Sequence, residues 1–266
     1  MASLISGTPP NRPARLHLFD LDGTLIRGSS AAVEISHQLG LDEEIRELEL
    51  AFAAGGMTPP EFAARACALW SELTDDHVTA AFMDAPWLAG IREVWQEIRE
   101  RGERSAVISL SPDFFVGRLL LQAPPSRHGR APRDGTGDTA GARGPAVLTD
   151  RGPGGPPRET GADPGRGADA AYGSRWPTVP FREQPDPAGI LSAEAKVRIA
   201  DELCAEFGVS RSDCVAYGDS MSDAALFAAV PVSVAVNADG HVRDLASAEY
   251  EGEDLREAYG LVRKSP

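Results

Sequence analysis

Four short runs of the chain are apolar or β-branched at nearly every position: Leu16–Leu21, Ser105–Ser109 (SAVIS), Cys214–Tyr217 (CVAY) and Val232–Val236 (VSVAV). A strand wetted on one face alternates polar and apolar side chains, whereas a parallel strand covered by helices on both faces does not. Between the runs lie helical patterns. Ile91–Arg101 ends at Gly102, a residue suited to a C-terminal cap, and Ala193–Phe207 starts after Ser192 and stops at Gly208. Strands alternating with helices in this way predict a doubly wound α/β core on a parallel sheet.

The stretch 28–86 breaks the alternation. It carries helical patterns over Ala31–Leu39, Glu43–Ala54, Pro60–Leu73 and Asp76–Met83 and no convincing strand. Ligands in such sheets gather at the C-terminal edges of the strands. A helical module inserted directly after the first strand is therefore expected to cover that edge as a cap. The core is then 15–27 plus 87–266, with 1–14 as a flexible leader.

Within the core, residues 122–167 hold 8 Pro and 11 Gly among 46 residues, no aromatic side chain, and only Val147 and Leu148 as large aliphatics. Such a composition buries too little apolar surface to offset chain entropy, and a disordered insertion is expected there. It reads equally as a functional arm, a lineage-specific insertion, or GC-rich coding sequence translated out of frame.

Charge narrows the function. At −14 net over 266 residues the chain lacks the basic balance of a nucleic-acid binder, and no nucleic-acid partner is expected. No apolar run reaches the roughly 18 residues of a membrane span, so no membrane role is expected. Cys67, Cys204 and Cys214 form no CxxC pair and read as buried thiols of a cytoplasmic protein. The five histidines are too scattered for a metal centre. An acidic protein that handles an anion needs local positive charge, which a metal ion and a lysine would supply.

Chemistry concentrates at predicted strand ends. Asp20-Leu21-Asp22-Gly23-Thr24 follows the first strand; two carboxylates one residue apart can serve one ligand there, the first as a nucleophile and the second as a proton carrier. Gly23 permits the turn and a close approach to an anion. Ser109 ends the second strand, with Ser111-Pro112 after it as a helix-start signal. Either serine could be the cap and the other the phosphate ligand. Lys196 lies in the first turn of a helix, where the helix dipole disfavours a cation unless an anion partners it. Asp219 and Asp223, in Gly218-Asp219-Ser220-Met221-Ser222-Asp223 after the third strand, add oxygen ligands suited to Mg²⁺.

In order and placement, FDLDGT, Ser109, Lys196 and GDSMSD resemble the motifs of the haloacid dehalogenase superfamily, and the helical insert resembles the cap of its phosphoserine-phosphatase-like branch. The resemblance implies a Rossmann-like core and a phosphatase. Asp20 would be the nucleophile that forms an aspartyl phosphate. Asp22 would be general acid and then base, and would also give Mg²⁺ its backbone carbonyl. Gly23, Thr24, Ser109 and Lys196 would bind the phosphoryl group; Asp20, Asp22, Asp219 and Asp223 would hold the metal. Phosphoserine-specific members place a glutamate shortly after the first motif. Here Arg27-Gly28-Ser29-Ser30 stands there, with no acid before Glu34. The expected substrate is a small phosphorylated metabolite other than phosphoserine. Transfer of the phosphoryl group to another hydroxyl, or a non-catalytic binding role on the same scaffold, are the competing readings.

Overall fold

The apolar runs become parallel strands because helices cover both of their faces. The computed structural model describes residues 15–125 and 165–263. Six strands form its sheet: β1 (Leu16–Phe19), β2 (Arg104–Pro112), β3 (Ala170–Ser174), β4 (Cys214–Gly218), β5 (Val232–Val236) and β6 (Ala248–Tyr250). Their order is β3-β2-β1-β4-β5-β6 and every pairing is parallel. The order reverses direction between β1 and β4, the switch point at which α/β sheets leave a crevice for ligands. The two strands beyond the four expected, β3 and β6, are the edges: β3 reads AAYGS, without a β-branched residue, and β6 has three residues.

Alternate side chains of each strand enter opposite layers. On one face Phe19, Val107, Val215 and Val234 share a core with Val94, Trp95 and Ile98 of α5 (Ile91–Glu100) and Tyr259 of α11 (Leu255–Arg263). On the other, Leu18, Ile108 and Ala216 meet Ile199 and Leu203 of α8 (Ala193–Phe207) and Phe227 of α9 (Ala224–Ala229).

The segment between β1 and α5 folds as α1 (Ala31–Leu39), α2 (Asp42–Ala53), α3 (Pro59–Leu69) and α4 (Asp75–Asp84). Thr58 and Thr74 open α3 and α4 with capping boxes, each side chain accepting from the third residue of its helix while Glu61 and His77 reach back to the cap amides. The Ser111-Pro112 helix start is corrected. β2 runs on through Pro112, and the short helix α6 (Asp113–Val116) begins only after it. Ser111 is held in the strand by the Ser109 hydroxyl, which accepts its N–H at 3.0 Å, and its own hydroxyl is turned toward Asp22.

Of the expected insertion, residues 126–164 lie outside the described residues, as does the 1–14 leader. The ends of the insertion, however, are built into the fold. Ala123 is buried and its N–H donates to Gly165 O at 3.1 Å. The Arg99 guanidinium donates to Gly167 O at 3.1 Å, and the Ala168 N–H donates to Leu119 O at 2.8 Å. The chain thus returns to where it left. Joining Pro125 to Gly165 through a linker of about five residues, in place of 126–164, is expected to keep the thermal midpoint within about 3 °C of the full chain, because closing so short a gap costs little entropy. Insoluble protein from that deletion would show that 126–164 is needed for folding.

Candidate active site

The crevice at the β1–β4 switch point gathers residues remote in sequence. Asp20 leaves β1 with its N–H donated to Tyr217 O at 2.9 Å, which fixes it beside the end of β4. Lys196, in the first turn of α8, is fully buried and donates to Asp20 Oδ1 at 2.8 Å, to Asp223 Oδ1 at 2.7 Å and to Ser222 Oγ at 3.1 Å. Burial alone would lower the lysine's pKa, but the two carboxylates against it reverse that and raise it. The ammonium is therefore permanent, and it answers the question posed by a cation at a helix N-terminus: its anions come from two other segments.

Asp22 points elsewhere. Its Oδ2 accepts from Ser111 Oγ at 2.6 Å and Ser109 Oγ at 3.2 Å, while Oδ1 accepts the N–H of Ala31, the first residue of the cap, at 2.7 Å. Burial lifts its carboxyl above the ordinary range against the pull of those hydrogen bonds. Ser109 is fully buried, whereas Ser111 lines the cavity in front of the aspartates.

Two glycines let the acidic side chains close up. Gly23 has φ of 77°, and a Cβ there would stand 2.0 Å from Asp219 Oδ2; the anion that its backbone approaches includes this protein's own carboxylate. A Cβ at Gly218 would lie 2.4 Å from the Asp223 carboxyl carbon. Thr24 Oγ1 donates to Asp219 Oδ1 at 3.2 Å, and Asp223 Oδ2 accepts the amides of Asp219 and Ser220. Asp20, Asp219 and Asp223 each present a carboxylate oxygen within 4.8 Å of the others. Burial, followed by the charge of Asp223, pushes Asp219 up to about 7 and Asp20 well above the carboxylate range. A buried surplus of negative oxygens over one lysine is the donor set a hard divalent cation takes.

A cavity of about 230 Å³ separates these residues from the cap. Its floor includes Asp20, Asp22, Ser111 and Lys196; its far wall carries Glu49 and Phe52 of α2, Phe62 of α3, Trp70, and Trp176 from the loop after β3. Arg65 is exposed and lies in a separate surface groove beside Glu44 and Glu47. The far wall has no motif in the sequence: Phe52 and Phe62 occupy ordinary apolar helix positions, Glu49 an ordinary polar one, and Trp176 a loop.

No family model matches the chain. Over more than nine-tenths of its length, however, it aligns with known proteins. It is 22% identical to phosphoserine phosphatase of Methanocaldococcus jannaschii, over 94% of this chain and 98% of that one. It is 23% identical to phosphoserine phosphatase of Archaeoglobus fulgidus, over 92% of this chain and 59% of that longer protein. A solved structure described as a phospho-aspartyl intermediate analogue of phosphoserine phosphatase superposes with a TM-score of 0.65 at 20% identity, covering 94% of this chain and 99% of that one. The chain is similar to phosphoserine phosphatases in sequence, and it shares the fold of the solved one.

The raised carboxyls make a pH prediction. A group whose pKa is raised by folding supports the native state at low pH and withdraws that support as pH rises through the folded pKa. For Asp219 the loss runs from the ordinary carboxylate range to about 7. In EDTA the thermal midpoint is expected to fall by several degrees between pH 5 and pH 8, and added Mg²⁺ should raise it more at pH 8 than at pH 5. Differential scanning fluorimetry across that range checks this; equal Mg²⁺ shifts at both pH values would contradict it.

Proposed function

We propose that the protein hydrolyses the phosphomonoester of a small metabolite, with Asp20 as nucleophile and Mg²⁺ as cofactor. The observation that carries this reading is the different company of two carboxylates two residues apart: Asp20 faces the Lys196 ammonium, and Asp22 faces hydroxyls and an amide. Lys196 together with a bound cation would offset the crowding that raises Asp20 and keep it ionised for attack, while burial lets Asp22 hold a proton.

In the first step an Asp20 oxygen forms a bond to phosphorus as the bond to the leaving oxygen breaks. The proton on Asp22 passes to that oxygen and an alcohol departs. In the second step water adds to phosphorus and gives its proton to Asp22, and the bond to Asp20 breaks to release phosphate. Asp20, Asp219 and the Asp22 backbone carbonyl would hold the metal, with Asp223 in or beside that set. When bound, Mg²⁺ supplies charge neutralisation for the phosphoryl oxygens. Lys196 keeps Asp20 aimed, and Ser111, with Gly23, Thr24 and Ser109 behind it, binds or shapes the phosphoryl site. Among the described residues lining the cavity there is no arginine to meet the carboxylate of phosphoserine, which supports a different substrate.

p-Nitrophenyl phosphate is expected to be hydrolysed with Mg²⁺ and not in EDTA, and Asp20→Asn should lower kcat at least a thousandfold, on the order expected for a lost nucleophile. Asp22→Asn should slow the first-turnover release of an alkyl alcohol far more than of p-nitrophenolate, which departs without a proton. Full activity in Asp20→Asn would end the proposal.

A further inference from the structure

The aspartates and Lys196 account for the floor of the cavity and leave its far wall without a role. Four aromatic rings stand there in two pairs. Phe52 and Phe62 have centroids 5.2 Å apart, and Trp70 and Trp176 have centroids 5.3 Å apart. The tryptophan pair is fixed from outside the cavity: Trp70 donates its indole N–H to Ser36 Oγ at 2.8 Å, and the Trp176 backbone N–H donates to Asp113 Oδ1 at 3.2 Å. Among them sits one carboxylate, Glu49, one helical turn before Phe52. It is partly buried, and the Ser30 hydroxyl donates to its Oε1 at 2.5 Å.

This wall discriminates between the groups a phosphorylated alcohol can carry. A neutral apolar group would suit the rings but would strip further water from Glu49 and add no partner to the Ser30 hydroxyl and the charge of Arg46, which is costly for a carboxylate. An acidic group would set a second carboxylate beside the first. Lys196 is the only cation among the described residues lining the cavity, and it is held by Asp20 and Asp223 at the floor. An ammonium group meets neither difficulty: the carboxylate neutralises it and ring faces attract it, the more strongly when it is methylated and sheds water readily.

We propose that the substrate is the phosphate ester of an amino alcohol lacking a carboxylate, with its ammonium, primary or methylated, held between Glu49 and the aromatic rings. This rests on the phosphatase reading above and names the class of leaving group. Glu49 and the four rings are then specificity-determining residues, and the alcohol released carries the positive charge away with it.

The test compares phosphocholine with 3,3-dimethylbutyl phosphate, which has the same shape with carbon in place of the charged nitrogen. 2-Aminoethyl phosphate and phosphoserine complete the panel, and p-nitrophenyl phosphate reports the underlying activity. Wild-type protein with Mg²⁺ is expected to show kcat/KM at least about tenfold higher for phosphocholine or 2-aminoethyl phosphate than for the neutral isostere, mostly through KM. In Glu49→Gln the ratio of cationic to neutral substrate should collapse toward one. A measurement on unaltered protein runs alongside: choline should inhibit p-nitrophenyl phosphate hydrolysis where 3,3-dimethylbutanol does not. The inference is overturned, with the phosphatase reading intact, if p-nitrophenyl phosphate is hydrolysed while the isostere matches the cationic esters, phosphoserine surpasses them, or choline fails to inhibit. Absence of hydrolysis of every ester, p-nitrophenyl phosphate included, overturns both.

Discussion

The site depends on one buried ion triad, Lys196 between Asp20 and Asp223. Three charges out of water are expensive to hold, and such a cluster survives only where each charge meets a partner with good geometry. Here the partners come from the end of β1, the start of α8 and the turn after β4. The triad therefore ties both sides of the switch point together. Removing the lysine would leave buried carboxylates facing one another, so the role proposed for it in catalysis and its role in the fold rest on the same interaction.

Around the triad, absence of side chain matters as much as presence. Without a Cβ at Gly23 and Gly218, Asp219 and Asp223 reach positions that any other residue would deny them. The crowding has an electrostatic cost, seen in the raised carboxyls of Asp20 and Asp219, and that cost is the driving force for taking up a cation. The far end of the cavity is organised in the opposite manner, by large rings and a single acid. On the reading proposed above, the floor that handles the phosphoryl group and the wall that reads the leaving group are separate constructions meeting in one cavity, as expected when function is grafted onto a shared fold.

Much of this was legible in the sequence where local chemistry decides. Val232–Val236 and Ala193–Phe207 have the bounds their patterns indicated, because a continuous apolar run and a helix between a serine and a glycine need no distant partner. FDLDGT and GDSMSD announced their acids because both sit at strand ends. What escaped was set by assembly. Ala170–Ser174 is a strand only because β2 offers it an edge. The respective positions of Ser109 and Ser111 turned on whether the strand stopped before Pro112. Phe52, Phe62, Trp70 and Trp176 look like core residues from sequence, and only the packing of cap on core turns them toward a common space.

The switch-point sheet also fixes when the protein can acquire its chemistry. Asp20 and Lys196 are 176 residues apart, and β1, buried on both faces, has a lasting neighbour on its second edge only when β4 arrives. During synthesis, which proceeds from the N-terminus, the first strand is made early and must wait for nearly the whole chain before it is sealed. A nascent chain halted between Asp20 and Cys214 has Asp20 but neither its complete charge partners nor a covered strand edge, a form open to pairing with its neighbours. Activity thus reports on completed folding.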